Sequence, residues 1–323
     1  MPNREIIRKN LKNTITETNF EGFNRIHSGK VRDTYIHGDE RIIIATDRQS
    51  AFDRILASVP YKGAILTQFA QFWFDKTKDI VPNHLIANPD PNVSIVKNLK
   101  IFPVEVIVRG YITGTTETSA WYNYEKGERL FCGVQLKEGL KKNQKFDTPI
   151  ITPTTKPETG RDEKISKEEI IEQRLVPEDK WNEIEKYALE IFKRGQEIAK
   201  EKGFILVDTK YEFGMDEKGN ILLADEVHTP DSSRYWLAET YEERIANGEE
   251  PQSFDKEFLR LWFKNNCDPY KDEVMPEAPT DLVEELAYRY IDIYEKLTGR
   301  TFEYNENEDA IERIQRNLNN YYN

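Results

Sequence analysis

Cysteine is nearly missing from this sequence of 323 residues: Cys132 and Cys267 stand far apart, with no CxxC and no Cys/His ligand spacing around either. That argues against a disulfide framework and against a structural zinc site. Long hydrophobic runs are missing too, and the opening MPNREIIRKNLKN has no apolar signal core. The expectations are therefore no membrane span and a cytoplasmic location. Nor is there an excess of basic residues. Lys plus Arg number 46 against 58 for Asp plus Glu, a net charge of -12, which argues against a general nucleic-acid binder. In so acidic a chain a site for anions has to gather its cations locally, so each Lys or Arg inside a motif is informative. Internal repeats and low-complexity segments are absent, and the length implies two or three substructures sharing a sizeable core.

What the sequence does hold is a charged hairpin between Gly203 and Trp236. A β-rich run, Phe204 to Phe213, reaches a polar turn with Asp216, Gly219 and Asn220, and a second apolar run, Ile221 to Val227, follows. Asp208, Lys210 and Glu212 interrupt the first run at every second residue and so share one face. Pairing Lys210 opposite Asp225 would bring Asp225 to that face, and a slip of one residue would turn it away. Cross-strand ion pairs on a solvated sheet are the ordinary use of such a pattern. Two carboxylates beside a lysine, with Asp231 and Arg234 downstream, also make a hard-oxygen Mg2+ site next to a cation able to hold phosphate.

Along the rest of the chain, residues 20–46 read as a β-meander with turns near Ser28-Gly29 and His37-Gly38-Asp39. Gly29-Lys30 is no P-loop, because GxxxxGK[ST] is missing and a strand follows. Asp47, Ser50 and Asp53 are expected in a loop, ahead of an amphipathic helix with Phe69, Phe72, Trp73 and Phe74. Segment 83–100, rich in Pro and Asn, reads as a connector ending an N-terminal β-rich domain. A buried strand then ends in Arg109, and Ser119 precedes a helical pattern as its N-cap. Residues 148–166 form a Thr/Pro-rich loop with Lys156 and Asp162. Ser166 and Glu169 make a capping box, and a helix with an apolar stripe from Trp181 to Ala199 stops at Gly203. Ser253 is expected to cap a helix that sets Lys256 and Arg260 one turn apart, and two further helices cover about 281–298 and 308–320.

The runs VDTKYEFG and ADEVHTPDSSRYW, together with SGKVRDTY, SAFD, FPVEVIVRG and TPTTK, resemble the motifs of the SAICAR synthetase family of purine biosynthesis, in family order over residues 20–265. The resemblance implies an α+β fold: an N-terminal antiparallel β-rich domain, 1–100, with a kinase-like glycine hairpin; a central α/β domain, 101–236; and C-terminal helices, 237–323, packed on the central domain. It implies an ATP-dependent ligase that joins L-aspartate to carboxyaminoimidazole ribonucleotide (CAIR), with Mg2+ on Glu212 and Asp225. Gly29, Lys30, Arg32 and Lys210 would meet ATP. Asp208 would orient the imidazole's amino group; Arg109 and Arg234 would hold the ribose phosphate; Asp53, Lys156, Asp231, Lys256 and Arg260 would line the substrate site. Where many family members read TGSAW this chain reads TGTTETSAW, four residues longer, so the phosphate-binding hydroxyl maps to Thr115 or Ser119; Ser119 is favoured because helix N-termini offer free N–H groups. Small-molecule partners only, and a monomer or homodimer, are expected. A kinase-like phosphotransferase is the alternative, and the absence of HRD and DFG motifs weighs against its protein-kinase form.

Overall fold

A computed structural model describes residues 1–157, 161–254, 256–305 and 308–323. The fold is mixed α+β with antiparallel sheets, and its axis is the twelve-residue strand Phe204–Met215. Val104–Tyr111 pairs along one edge of this strand, and Ser233–Leu237 and Ile221–Ala224 pair along the other in succession. Between Leu206, opposite Tyr235, and Asp208, opposite Arg234, the register shifts by one residue. This β-bulge reverses which side chains enter the core. Before it the even residues Phe204 and Leu206 do so; after it Tyr211 and Phe213 do. Asp208, Lys210 and Glu212 are thereby released to the opposite face of the strand.

The predicted turn at its end is present: Gly219 has φ +80, and the Asp216 carboxylate accepts from the backbone N–H of Lys218 (3.0 Å) and Asn220 (2.8 Å). The register is not the one expected. Glu212 faces Ala224, so the strict ladder would set Asp225 opposite Tyr211, and the second strand stops at Ala224.

The meander is also present, as Asn24–Ser28, Arg32–His37 and Glu40–Ala45. The connector expected at 83–100 is not. Leu85–Asp90 and Val93–Lys97 complete the five-stranded sheet beside Glu40–Ala45. Asn and Pro are tolerated there because Leu85–Asp90 is an edge strand with irregular register. Ser50 likewise lies in a strand, Arg48–Ala51, while Asp53 sits in the tight turn after it, where Phe52 and Asp53 have φ of 53° and 60°.

The helix Lys62–Thr77 is buried around most of its circumference instead of along one stripe, because the five-stranded sheet and the helix Thr280–Thr298 cover different sides. Its start needs glycine: a Cβ on Gly63 would lie 2.1 Å from the Ala45 carbonyl oxygen. Asp47 serves as a cap here, accepting from Gly63 N (2.9 Å) and Ile15 N (2.8 Å).

The capping box at Ser166, the helix Glu178–Glu201 and the stop at Gly203 follow expectation. Ser253 does not cap a helix; it bridges to Trp236, and the helix Glu257–Asn266 begins after Lys256. The final helix Ala310–Tyr322 closes the five-stranded sheet, with Ile314 and Leu318 against Ile42, Ile44, Val93 and Ile95, and Arg313 bound to Asp90 at 2.8 Å. Residues 237–323 are expected to pack on the central domain; this last helix packs on the N-terminal sheet instead. No helix among the described residues is long and apolar enough to cross a membrane.

Candidate active site

Lys210 is the hub. Its ammonium lies 2.7 Å from Glu105, 3.1 Å from Glu212 and 3.8 Å from Asp225. Burial works against the charge, but the three carboxylates outweigh it and hold the lysine well above its ordinary pKa. Asp225 therefore reaches the face predicted for it by another route than the ladder. Its backbone is left-handed, φ 60°, which redirects a side chain that the observed register would have sent the other way. Burial alone would raise the Asp225 carboxyl; Arg32 and Lys210 dominate and keep it well below the usual range.

Arg32 comes from the glycine hairpin and spans two consecutive carboxylates, Asp225 at 2.8 Å and Glu226 at 2.6 Å. The hairpin is shaped by Gly29, whose N–H donates to the Arg32 carbonyl at 2.8 Å, and by buried Arg48, which reaches the Gly29 carbonyl at 2.9 Å and Asp33 at 2.8 Å. Lys30 and Asp53, predicted for different ligands, form an exposed ion pair with each other. Lys156 pairs with Glu212. Asp162 is close enough to Glu105 and Lys210 to be influenced by both, and burial, then Glu105, raise its carboxyl. Residues 158–160 of the same predicted loop lie outside the described residues.

Next to Lys210 opens a cavity of about 210 Å3 lined by Arg109, Ser119, Asp208, Arg234, Lys256 and Arg260 among others. Asp208 is shared by Arg109 (3.4 Å) and Arg234 (2.5 Å). Arg109 is further fixed by Thr152 Oγ1 (2.7 Å) and the Thr118 carbonyl (2.9 Å). Burial lowers its pKa, with Asp208 opposing; arginine's intrinsic pKa is high enough to keep it charged.

Ser119 is the N-cap residue of Ala120–Glu125, but its hydroxyl bonds Thr116 and no helix N–H. A Cβ on Gly114 would lie 2.4 Å from Ser119 Oγ and 3.1 Å from Arg234 Nη2, so glycine lets these two polar ends approach each other. Thr115 donates to Glu257 at 3.0 Å and lines a different cavity.

Asp231 lines the 210 Å3 cavity too, and its carboxylate is engaged by Lys256 (2.9 Å), Lys62 (3.3 Å) and the Tyr290 hydroxyl (3.3 Å). Arg260 is held by Glu257 at 3.4 Å. Lys62, Glu105 and Glu226 were not in the predicted site. Glu105 stands inside a matched motif. Lys62 left a fainter trace, as a charged residue opening an otherwise apolar run; its ammonium is fully buried, and Asp231 with the Arg48 carbonyl (3.0 Å) compensates a desolvation that would otherwise cost several kcal/mol.

The sequence pattern of the family described as SAICAR synthetase matches residues 25–277. A phosphoribosylaminoimidazole-succinocarboxamide synthase of Legionella pneumophila (strain Lens) is 55% identical over 308 residues, which is 95% of this chain and 98% of that one. Among solved structures, SAICAR-synthase from Saccharomyces cerevisiae complexed with SAICAR matches at TM-score 0.77 and 38% identity, covering 90% of this chain and 99% of its own. A SAICAR synthetase (Type-2) in complex with ADP matches at TM-score 0.65 and 26% identity, over 86% and 99%.

Proposed function

The chain belongs to the SAICAR synthetase family, and on that premise we propose how its residues share the work of the family's reaction. The protein is an ATP-dependent ligase that joins L-aspartate to the carboxylate of CAIR, giving SAICAR, ADP and phosphate. A carboxylate is a poor acyl donor. Transfer of the γ-phosphoryl group to its oxygen creates a leaving group; attack by the aspartate amine forms the C–N bond, releases phosphate and gives up a proton. Most of the protein's contribution is positioning and charge neutralisation.

The observation that carries the assignment of roles is Lys210, which joins the carboxylates of the hairpin to a cavity rimmed by arginines. Lys210 faces the transferred phosphoryl group. Glu212 and Asp225 are hard-oxygen donors suited to Mg2+, which would neutralise the triphosphate's charge when bound. Among the described residues no three or more His, Cys, Asp or Glu are grouped to hold a metal; Mg2+ is commonly held by one or two carboxylates together with substrate phosphates and water, and two carboxylates would fit that use.

Arg32 and Lys30, on a hairpin that covers the triphosphate as in protein kinases, meet the nucleotide. Asp208 orients the imidazole's amino group while Arg109, Arg234 and Ser119 hold the ribose phosphate. Asp231 acts by holding Lys256 at the cavity. Residues 1–100, 101–236 and 237–323 divide as ATP-hairpin, metal-and-substrate and helical parts, in the cytoplasm. With all components present the protein should release ADP, and omission of L-aspartate should stop it; undiminished ADP release without L-aspartate would refute the ligase.

A pH dependence follows from Lys256. Burial lowers its ammonium to about 8, with Arg260 and Lys62 adding and Asp231 opposing. It is a cation below that pH and neutral above it, so kcat/KM for anionic CAIR should fall as pH rises through about 8. Lys256→Arg keeps the charge and should remove that fall. An unchanged pH profile in the variant would assign the decline to another group.

A further inference from the structure

The loop between Ala224 and Ser233 carries Asp225 and Asp231, and two of its side-chain-bearing residues hold left-handed backbone, Asp225 at φ 60° and His228 at φ 50°. Such conformations persist where the surroundings over-determine them. Around His228 they do. The ring is fully buried, shares a hydrogen bond of 2.5 Å between Nε2 and the Tyr211 hydroxyl, and meets Trp73 edge-on with centroids 4.7 Å apart. Its carbonyl accepts from the Tyr235 hydroxyl at 2.6 Å. Gly195 makes room: a Cβ there would lie 2.3 Å from His228 Cε1.

Packing alone does not account for an imidazole at this point. His228 Nδ1 has no hydrogen-bond partner among the described residues, a cost that an apolar side chain would not incur, but a leucine could not supply the bond that Nε2 makes to the buried Tyr211 hydroxyl. What the ring provides is a tie. Tyr211 stands between Lys210 and Glu212 on the central strand but enters the core, and Tyr235 follows Arg234 on the next strand. The middle of the loop is thus pinned from below to the two strands whose upper faces build the site.

We propose that Tyr211 and His228 are a positioning pair: their hydrogen bond sets the loop so that Asp225 stands beside Glu212, and it governs metal-nucleotide affinity without either residue touching a substrate. The proposal rests on the assignment of Mg2+ to Glu212 and Asp225.

Tyr211→Phe removes only the hydroxyl. Mn2+ binding in the presence of ATP, read by electron paramagnetic resonance, should weaken about tenfold, as loss of outer-shell partners does in other metal sites, while KM for CAIR stays within about twofold. The double variant Tyr211→Phe/His228→Leu should melt above His228→Leu, because both carry leucine at the left-handed position 228 but only the single variant leaves the Tyr211 hydroxyl unpaired, while Mn2+ affinity stays weak in both. Native Mn2+ affinity in Tyr211→Phe overturns the proposal. So does recovery of Mn2+ affinity together with melting temperature in the double variant, because the pair would then serve stability alone. Asp225→Asn separates the two levels: if it binds Mn2+ as the native protein does, the metal assignment falls and the pair with it; if only Tyr211→Phe does so, the pair alone falls.

Discussion

Asp225→Asn should lower kcat by about 10³-fold at saturating substrates, a loss of about 4 kcal/mol of transition-state stabilisation, while the melting temperature should stay within a few degrees of the native protein. The two halves of this expectation have separate grounds. Asparagine matches aspartate in size and is among the few side-chain-bearing residues that accept a left-handed backbone such as φ 60°. The neighbouring cations also keep partners: Lys210 retains Glu105 and Glu212, and Arg32 retains Glu226. No buried cation is left bare, so the large stability penalty of a broken buried pair does not arise. The catalytic half follows from charge. A neutral amide is a poor ligand for Mg2+ beside a triphosphate, and only two protein carboxylates are assigned to the ion. Steady-state kinetics across a Mg2+ titration and a thermal melt test both halves; native kcat at limiting Mg2+ would remove Asp225 from the metal site.

Asp225 also shows how far the sequence could be read. Period-two alternation of Asp208, Lys210 and Glu212 correctly placed three charges on one face, because alternation is a property of the strand itself. The partner register depended on where the second strand stops and on one left-handed residue, neither of which a pattern of apolar residues encodes. The outcome survived a wrong register only because φ at Asp225 reversed the slip. The bulge at Val207–Asp208 was equally invisible, since both parities of the run are apolar before it.

Signals with local chemistry were legible: the box at Ser166 and Glu169, the stop at Gly203 and the turn at Asp216. Composition misled where tertiary context overrode it. Asn88 and Pro89 sit in an edge strand that needs no second ladder partner, and Ser253, a good cap by type, bridges to Trp236. Buried Lys62 was missed because its partner, Asp231, lies 169 residues away in sequence.

Arg234→Lys should raise KM for CAIR about ten- to a hundredfold and leave KM for ATP within about twofold, because a lost hydrogen bond to a charged group is worth roughly 1.5–3 kcal/mol. One guanidinium nitrogen of Arg234 binds Asp208, and Nη2 lies toward Gly114 and Ser119. A planar fork can bind Asp208 and a phosphate through different nitrogens, whereas an ammonium has to choose. Ser119→Ala should raise the same KM about tenfold. Its hydroxyl now bonds the Thr116 hydroxyl and backbone N–H, and these weak local partners are exchanged for a charge-assisted bond when phosphate enters. Thr115→Val should leave both KM values unchanged, because Thr115 donates to Glu257 in the neighbouring cavity. On this reading the four extra residues lengthen the approach to Ser119 and contribute no ligand. If Thr115→Val loses CAIR affinity and Ser119→Ala keeps it, the insertion follows the phosphate ligand in the chain, and Glu257 is a partner that Thr115 leaves on binding. Equal effects of Arg234→Lys on both KM values would instead make Arg234 a support for Asp208 and the site's geometry.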